Sequence, residues 1–267
     1  MALAHVPPRP AVQRRNARLR LGAAAGLALL AVVTLATLDL PSVDRVVTGI
    51  TTNVPPIVGG FLTPEWSLLP RAVAVMFETL FMAILGTIVG GLFAFPISFL
   101  ASGNLMPSPV LAYPGKVVLV AVRTFPEILL AIIFVAATGP GPTAGIMAMG
   151  IHSIGFLGKI FGDVVEGIDP GPNEAIRAAG GNGLHVFLWS VTPQVLPEFA
   201  SNLLFRFEIN LRAATVLGLV GAGGIGLILQ QRLQFRLWGE VTILLLVIVA
   251  FVIVVDSLSA RLRRSLA

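Results

Sequence analysis

Residues 240 to 260 read EVTILLLVIVAFVIVVDSLSA, an almost unbroken run of apolar side chains. A helix of about 20 residues, rising 1.5 Å per residue, crosses the roughly 30 Å of hydrocarbon in a bilayer. The run therefore predicts a membrane-spanning helix. The composition of the whole chain agrees, because only 12% of its residues are charged, against about 25% in a typical soluble domain.

Five further apolar runs precede this one, so the sequence predicts an all-α, polytopic helical membrane protein with six transmembrane helices. The predicted spans are residues 20 to 38, 72 to 100, 117 to 138, 143 to 162, 198 to 220 and 240 to 260. The first run follows a basic tail, which leaves a cleaved signal peptide as the alternative to a retained span. Because no clear small-residue cleavage site follows it, we expect the span to be retained.

The distribution of lysine and arginine predicts the orientation of these spans. Eleven basic residues fall in segments that face the cytoplasm if both termini lie there, and four fall in the outer segments. The scatter of these residues along the chain also argues against a nucleic-acid surface. The predicted parts are cytoplasmic tails at 1 to 19 and 261 to 267, a transmembrane domain at 20 to 260, an external segment at 39 to 70 with a short interfacial helix at 43 to 50, and a cytoplasmic loop at 163 to 197.

The cytoplasmic loop contains a short polar stretch, EAIRAAGGNGLHVFLWSVTPQVLP, at residues 174 to 197. Asn173 is suited to cap a helix that begins at Glu174, and Gly180 predicts a tight turn with positive φ at the end of that helix. A second short helix should then run toward Pro193. Its apolar residues predict that protein or lipid covers it.

This stretch resembles the EAA loop of ABC importer permeases, with the spacing E-A-A, three residues, G, nine residues, I-x-L-P. Ile176, Ser190 and Thr192 depart from that pattern. In that family the loop docks on a cytoplasmic ATPase subunit and passes its movement to the membrane helices. The resemblance implies the same role for this loop. Its candidate coupling residues are Glu174, Ala175, Gly180, Pro193 and Pro197.

Residues 123 to 142 and 206 to 226 resemble the third and fifth spans of phosphonate ABC transporter permeases, within a similarity that covers roughly 71 to 260. The resemblance implies the type I ABC importer permease fold in a bacterial plasma (inner) membrane. It also implies import of phosphonate or a related oxyanion, phosphite or phosphate. The implied partners are an extracytoplasmic substrate-binding protein, a second permease subunit in a homo- or heterodimer, and ATPase subunits that bind ATP and magnesium, with no cofactor on this chain.

Two other functions stay open at this point, an amino-acid or methionine-type ABC permease and a polytopic membrane enzyme. The sequence has no His, Asp and Glu cluster at catalytic or metal-binding spacing, and no phosphate-binding loop of its own for ATP. His152 stands alone in its span, so we expect a helix-packing hydrogen bond from it. The GAGGIG stretch at 221 to 226 follows a membrane span, which favours a packing turn over a dinucleotide site.

Charged and polar residues inside the predicted spans are the remaining candidates. Two pairs of opposite charge, each four residues apart, should lie on one helix face and neutralise themselves. The pairs are Arg123 with Glu127 and Glu208 with Arg212. A separate polar stripe in the fifth span has no carboxylate three or four residues from its arginine, and it consists of Asn202, Arg206 and Asn210. Because a guanidinium matches the oxygens of a phosphorus oxyanion, we predict that Arg206 lines the translocation pathway.

Overall fold

The computed structural model describes residues 11–37, 42–104 and 109–266, which form helices and loops with no strand among them. The predicted all-α class is confirmed. Part of the predicted tails, residues 1–10 and 267, lies outside the described residues. In chain order the α-helices are α1 (Ala11–Thr37), α2 (Val43–Leu62), α3 (Leu69–Ala101), α4 (Pro109–Thr124), α5 (Glu127–Thr138), α6 (Pro142–Glu166), α7 (Pro170–Ala178), α8 (Gly183–Val186), α9 (Thr192–Leu217), α10 (Gly224–Gln234) and α11 (Trp238–Leu266).

The chain divides into two compact units, residues 1–55 and 56–267. The first unit holds α1 and the beginning of α2. This second helix begins at Val43, as the sequence predicts, but continues as far as Leu62, well beyond the predicted interfacial segment. The remaining helices and all the candidate functional residues belong to the second unit.

Among the described residues, four single helices and two bent helix pairs are long and apolar enough to cross a membrane. Counting each bent pair once gives six spans, the number that the sequence predicts. The single candidates are Leu19–Thr37, Trp66–Ala101, Pro142–Glu166 and Trp238–Ser265, and the bent pairs are Ala112–Thr124 with Glu127–Thr138 and Gly183–Val220 with Gly224–Gln234.

The predicted third span is not one helix. It bends by 80° between α4 and α5, at Phe125 and Pro126. Proline has no N–H to donate and disfavours helical backbone in the residue before it, so α4 ends at Thr124 and a new helix begins at Glu127. This break separates two residues that a continuous helix would have held on one face.

Helix α6 lies at the centre of the second unit. It packs closely against α3 and also contacts α4, α5 and α9. Small residues make this approach possible. A Cβ added at Gly86 would lie 2.8 Å from the Cβ of Met149, and one added at Gly90 would overlap the Cβ of Ser153. The absence of side chains at these two glycines therefore sets the distance between α3 and α6.

The glycine-rich stretch after α9 forms a turn packed against α3. Gly221 and Gly223 have φ angles of +93° and +84°, which favour glycine over other residues. The N–H of Gly224 donates to Oε1 of Glu78 at 3.2 Å, and the N–H of Ile225 donates to Oγ1 of Thr79 at 2.8 Å. The prediction of a packing turn at GAGGIG is confirmed.

Candidate functional site

A buried polar cluster joins four helices in the middle of the second unit. At its centre Arg206 of α9 is only 2% exposed. Its Nε donates to Oγ of Ser153 at 2.8 Å, and its Nη2 lies 3.4 Å from Oε2 of Glu127. The guanidinium also stands over the ring of Phe156, 4.9 Å from the ring centroid. Residues from α5 and α6 thus surround the buried cation that α9 carries.

His152 completes the surroundings of this guanidinium. Its Nδ1 lies 2.9 Å from Nη2 of Arg206 and 3.4 Å from Oε2 of Glu127. Because a guanidinium has only donors, Nδ1 accepts from Arg206 and carries no proton of its own. Nδ1 of His152 and Oε2 of Glu127 therefore both accept from Nη2 of Arg206, and the 3.4 Å between them separates two acceptors. The predicted helix-packing hydrogen bond of His152 is confirmed.

Asn210 extends the cluster to α3. Its Nδ2 donates to Oγ1 of Thr87 at 2.8 Å and to Oγ of Ser153 at 3.1 Å. Among the described residues, Oδ1 of Asn210 and Oε1 of Glu127 are buried without a hydrogen-bond partner. Since an unpaired buried oxygen costs free energy, the cluster holds two acceptors available to a water or to a donor on a bound group.

This arrangement corrects two of the expectations for the span residues. Arg123 and Glu127 do not form a pair on one helix face, because the chain breaks between them, and Glu127 contacts Arg206 instead. The stripe of Arg206 and Asn210 is not open to a path in this structure, since both side chains are buried, Arg206 against α5 and α6 and Asn210 against α3 and α6. Asn202 is partly exposed, and its Nδ2 donates to a backbone oxygen on its own helix. The role of this stripe in transport stays a prediction.

The second predicted pair takes part in a network between α9 and α11. Nη2 of Arg212 lies 4.0 Å from Oε2 of Glu208, and it is closer, at 3.0 Å, to Oδ1 of Asp256. Oε1 of Glu208 accepts from Nη1 of Arg263 at 2.5 Å. Glu208 is buried, whereas about half of the Arg212 side chain is exposed.

Sequence reasoning missed the partners on the other helices in both networks. Asp256 is a carboxylate within an apolar run, and Ser153 and Thr87 are polar residues within others. Each signals an intramembrane contact by its presence alone. Which residue each one meets depends on helix packing.

The predicted coupling loop consists of α7, a glycine turn and a second short helix that continues into α9. Helix α7 begins at Pro170, where Oδ1 of Asp169 accepts from the N–H of Gly171 at 2.9 Å. The prediction of a helix start at Glu174 capped by Asn173 is therefore wrong, because Asp169 caps the helix one turn earlier. Gly180 has a φ of +84°, which confirms the predicted positive φ after this helix.

The second loop helix does not end at Pro193. It begins as α8, where Asn182 and His185 cap each other's backbone N–H groups, and it continues through a π-helical segment at Phe187–Val191 into α9. Pro193 stands in the first turn of α9 and Pro197 inside it. The second loop helix and the fifth span therefore form one continuous helix.

One hydrogen bond joins the loop to α9, and a ring contact joins α9 to α6 beside it. The backbone N–H of Asp169, just before α7, donates to Oε1 of Gln194 in α9 at 3.0 Å. The rings of Phe161 in α6 and Phe199 in α9 stack with their centroids 4.0 Å apart. The segment before α7 is thus bound to α9, which in turn packs against α6.

The outward surface of the loop is apolar and exposed. Trp189 is 73% exposed, and Leu184 and Leu188 are also exposed. A groove of about 370 Å³ lies between α7 and the second loop helix, lined by Ile176, Ala179, Gly180, Gly181, His185 and Trp189. Glu174 and Ala175 are exposed on α7. This is the kind of surface that a partner protein covers.

Comparison with known proteins gives concordant results. Residues 94–267 match the family described as "binding-protein-dependent transport system inner membrane component". The phosphite transport system permease protein PtxC of Stutzerimonas stutzeri is 41% identical over 212 residues, which cover 79% of this chain and 77% of that protein. The phosphate-import permease protein PhnE of Mycolicibacterium smegmatis is 39% identical over 189 residues, or 71% of this chain and 36% of that protein.

Among solved structures, a chain of the inward-facing MetNI methionine ABC transporter matches with a TM-score of 0.63 and 22% identity, over 75% of this chain and 96% of that chain. The helix arrangement and the loop between α6 and α9 thus define a permease subunit with the type I ABC importer fold. The chain belongs to the binding-protein-dependent transport system inner membrane component family. It is a multi-pass membrane protein and a transport subunit.

Proposed function

We propose that this permease moves phosphonate or a related phosphorus oxyanion, phosphite or phosphate, into the cytoplasm. The observation that carries the proposal is the 41% identity with the phosphite transport permease of S. stutzeri over 77% of that protein. The phosphate-import relative in M. smegmatis supports the same class of substrate. The methionine-type alternative depends on a solved structure only 22% identical, and that likeness concerns the fold alone. A membrane enzyme has no support among these relatives.

The energy for transport comes from ATPase subunits that dock on the coupling loop and bind ATP and magnesium. The exposed groove beside Gly180 and Trp189 supports this docking, since an apolar surface of this kind needs a protein cover. Glu174 supports it too, because its carboxylate is exposed and makes no ion pair within the described part of the chain. Movement of the docked subunit reaches α9 through the continuous helix behind the loop.

Two further partners complete the transporter. A substrate-binding protein delivers the oxyanion to the outer face, and a second permease subunit, identical or different, forms the other half of the path. Both termini and the coupling loop face the cytoplasm of a bacterial cell, with the chain in the inner membrane. The excess of basic residues in the segments assigned to that side supports this orientation.

Uptake by proteoliposomes tests the proposal. The chain is reconstituted with its ATPase, its binding protein and any second permease subunit, and ATP-dependent accumulation is measured separately for phosphite, methylphosphonate and phosphate. We expect at least one of these anions to accumulate, and methionine is the matched control substrate. Accumulation of methionine without any oxyanion uptake would contradict the proposal.

A further inference from the structure

Arg123 lies in the last turn of α4, inside a candidate membrane span. The acidic residue nearest to it in sequence, Glu127, is held by Arg206 and His152. Within the residues that the structure describes, Arg123 makes no ion pair, and its side chain is exposed. Because an uncompensated charge inside a membrane protein is costly, such a residue marks an ion path or an ion site.

A cavity of about 310 Å³ lies beside Arg123, between α4 and α6. Its other lining residues are Leu119, Val120, Thr124 and Lys159. The volume equals roughly ten water molecules at about 30 Å³ each, so a tetrahedral oxyanion fits with part of its hydration shell. Both charged residues of the lining are cations, which favours an anion as the occupant.

Lys159 keeps its charge available to this cavity. It pairs with Asp163 one helical turn away, and both side chains are about half exposed. Asp163 does not line this cavity; it lines a neighbouring one, to which Lys116, Glu166 and Lys159 itself also contribute. Exposed ion pairs on one helix contribute little free energy, so an incoming oxyanion can replace Asp163 at the ammonium group.

The cavity and the buried cluster lie at successive levels of α6. The backbone of Arg123 lies against Gly155 of α6. At a rise of 1.5 Å per residue, Gly155 is about 16 Å along α6 from Glu166, the last residue of that helix. One turn further along α6, His152 contacts Arg206. Three cations therefore follow one another along α6, from its C-terminal end inward.

We propose that Arg123 and Lys159 bind a phosphorus oxyanion group in this cavity. Two sources offer this chemistry, the free oxyanion that the transporter carries and the phosphate headgroup of an anionic lipid. Guanidinium and ammonium groups form charge-assisted hydrogen bonds with either one. The first source rests on the proposed function, whereas the second is independent of it.

Binding to the purified full chain in neutral detergent tests the inference without transport. The thermal unfolding midpoint is measured against inorganic phosphate in one series and against dioctanoylphosphatidylglycerol in another. We expect at least one probe to raise the midpoint, because a ligand that binds only the folded state stabilises it. Arg123→Gln should weaken this binding by about tenfold or more, since hydrogen bonds to charged groups are worth at least that factor.

Lys116→Gln is the matched control, because it removes a cation from the same helix, two turns away and outside the cavity. Lys159→Gln removes the second cation from α6 and provides an independent variant. Loss of binding in Arg123→Gln and Lys159→Gln, with binding kept in Lys116→Gln, supports the inference, and the active probe identifies the source.

Three results overturn the inference: no stabilisation of the wild type by either probe, equal stabilisation of Arg123→Gln, or an equal loss in Lys116→Gln. Failure of oxyanion uptake in proteoliposomes, with either probe still bound, would instead contradict the proposed function and leave the anion site in place, with the bound probe as its ligand. The two failures are therefore distinguishable.

Discussion

Removing the charge of Glu127 tests whether the buried cluster holds α5 to α9. Glu127→Gln preserves the shape of the side chain but leaves the guanidinium of Arg206, 2% exposed, without its carboxylate. At the observed 3.4 Å between Oε2 and Nη2, two unit charges attract by about 5 kcal/mol at an effective dielectric constant of 20. Since the glutamine oxygen still accepts a hydrogen bond, we expect a net loss of about 3 kcal/mol in the free energy of unfolding.

Removing both charges should be less harmful than the sum of the single changes. In Glu127→Gln combined with Arg206→Gln, neither ionised group stays buried alone, so we expect a coupling energy of about 2 kcal/mol in a double-mutant cycle. Reversible unfolding in mixed micelles, followed by tryptophan fluorescence, gives the four free energies. Glu198→Gln is the control, because that carboxylate is exposed on α9. Strictly additive effects, with a coupling energy below about 0.5 kcal/mol, would refute the assignment of a buried ion pair.

Three further predictions concern the loop, the helix seam and the orientation. Gly180→Val should uncouple ATP hydrolysis from uptake while insertion is preserved, because a β-branched residue at a φ of +84° distorts the turn. Gly183→Val is the control and should have little effect, since φ is not positive at Gly183. Normal uptake by Gly180→Val would contradict this prediction. Gly90→Ala should lower stability by about 1–3 kcal/mol, because its Cβ overlaps that of Ser153, and an unchanged unfolding midpoint would show that α3 and α6 separate at no cost. Single cysteines replacing Asn53 and Glu174 should react from outside intact cells at the first position only, and the reverse pattern would invert the topology.

The coupling loop shows how far local sequence signals reach. The positive φ at Gly180 followed from its place after a helical segment and before further glycines, and the structure has it. The start of α7 did not follow, because Asn173 and Asp169 are both good caps and only the longer helix from Pro170 brings Asp169 against Gln194 of α9. The continuation of the second loop helix through Pro193 was likewise hidden, because a proline inside a helix removes a backbone hydrogen bond and predicts a stop, whereas here a π-helical segment directly precedes it.

The polar cluster shows the opposite limit. Spacing along one chain segment paired Arg123 with Glu127 and left Arg206 unpaired, yet the break at Pro126 and the packing of α5 against α6 reverse both results. Spacing of four residues predicts a contact between two charges only if both lie in the same helix. The prediction fails where the helix ends between the two residues.

By itself the sequence determined the all-α class, six apolar runs long enough to span a membrane, the positive φ at Gly180, and the family to which the chain belongs. These depend on local properties, since the length of an apolar run and the backbone limits of proline and glycine act within a few residues. The tertiary structure alone decided which charges are partners and which cation is left beside a cavity. Those choices depend on contacts between helices far apart in sequence, such as Glu127 with Arg206 and Glu208 with Arg263, and small residues at the helix seams set the distances at which such contacts form.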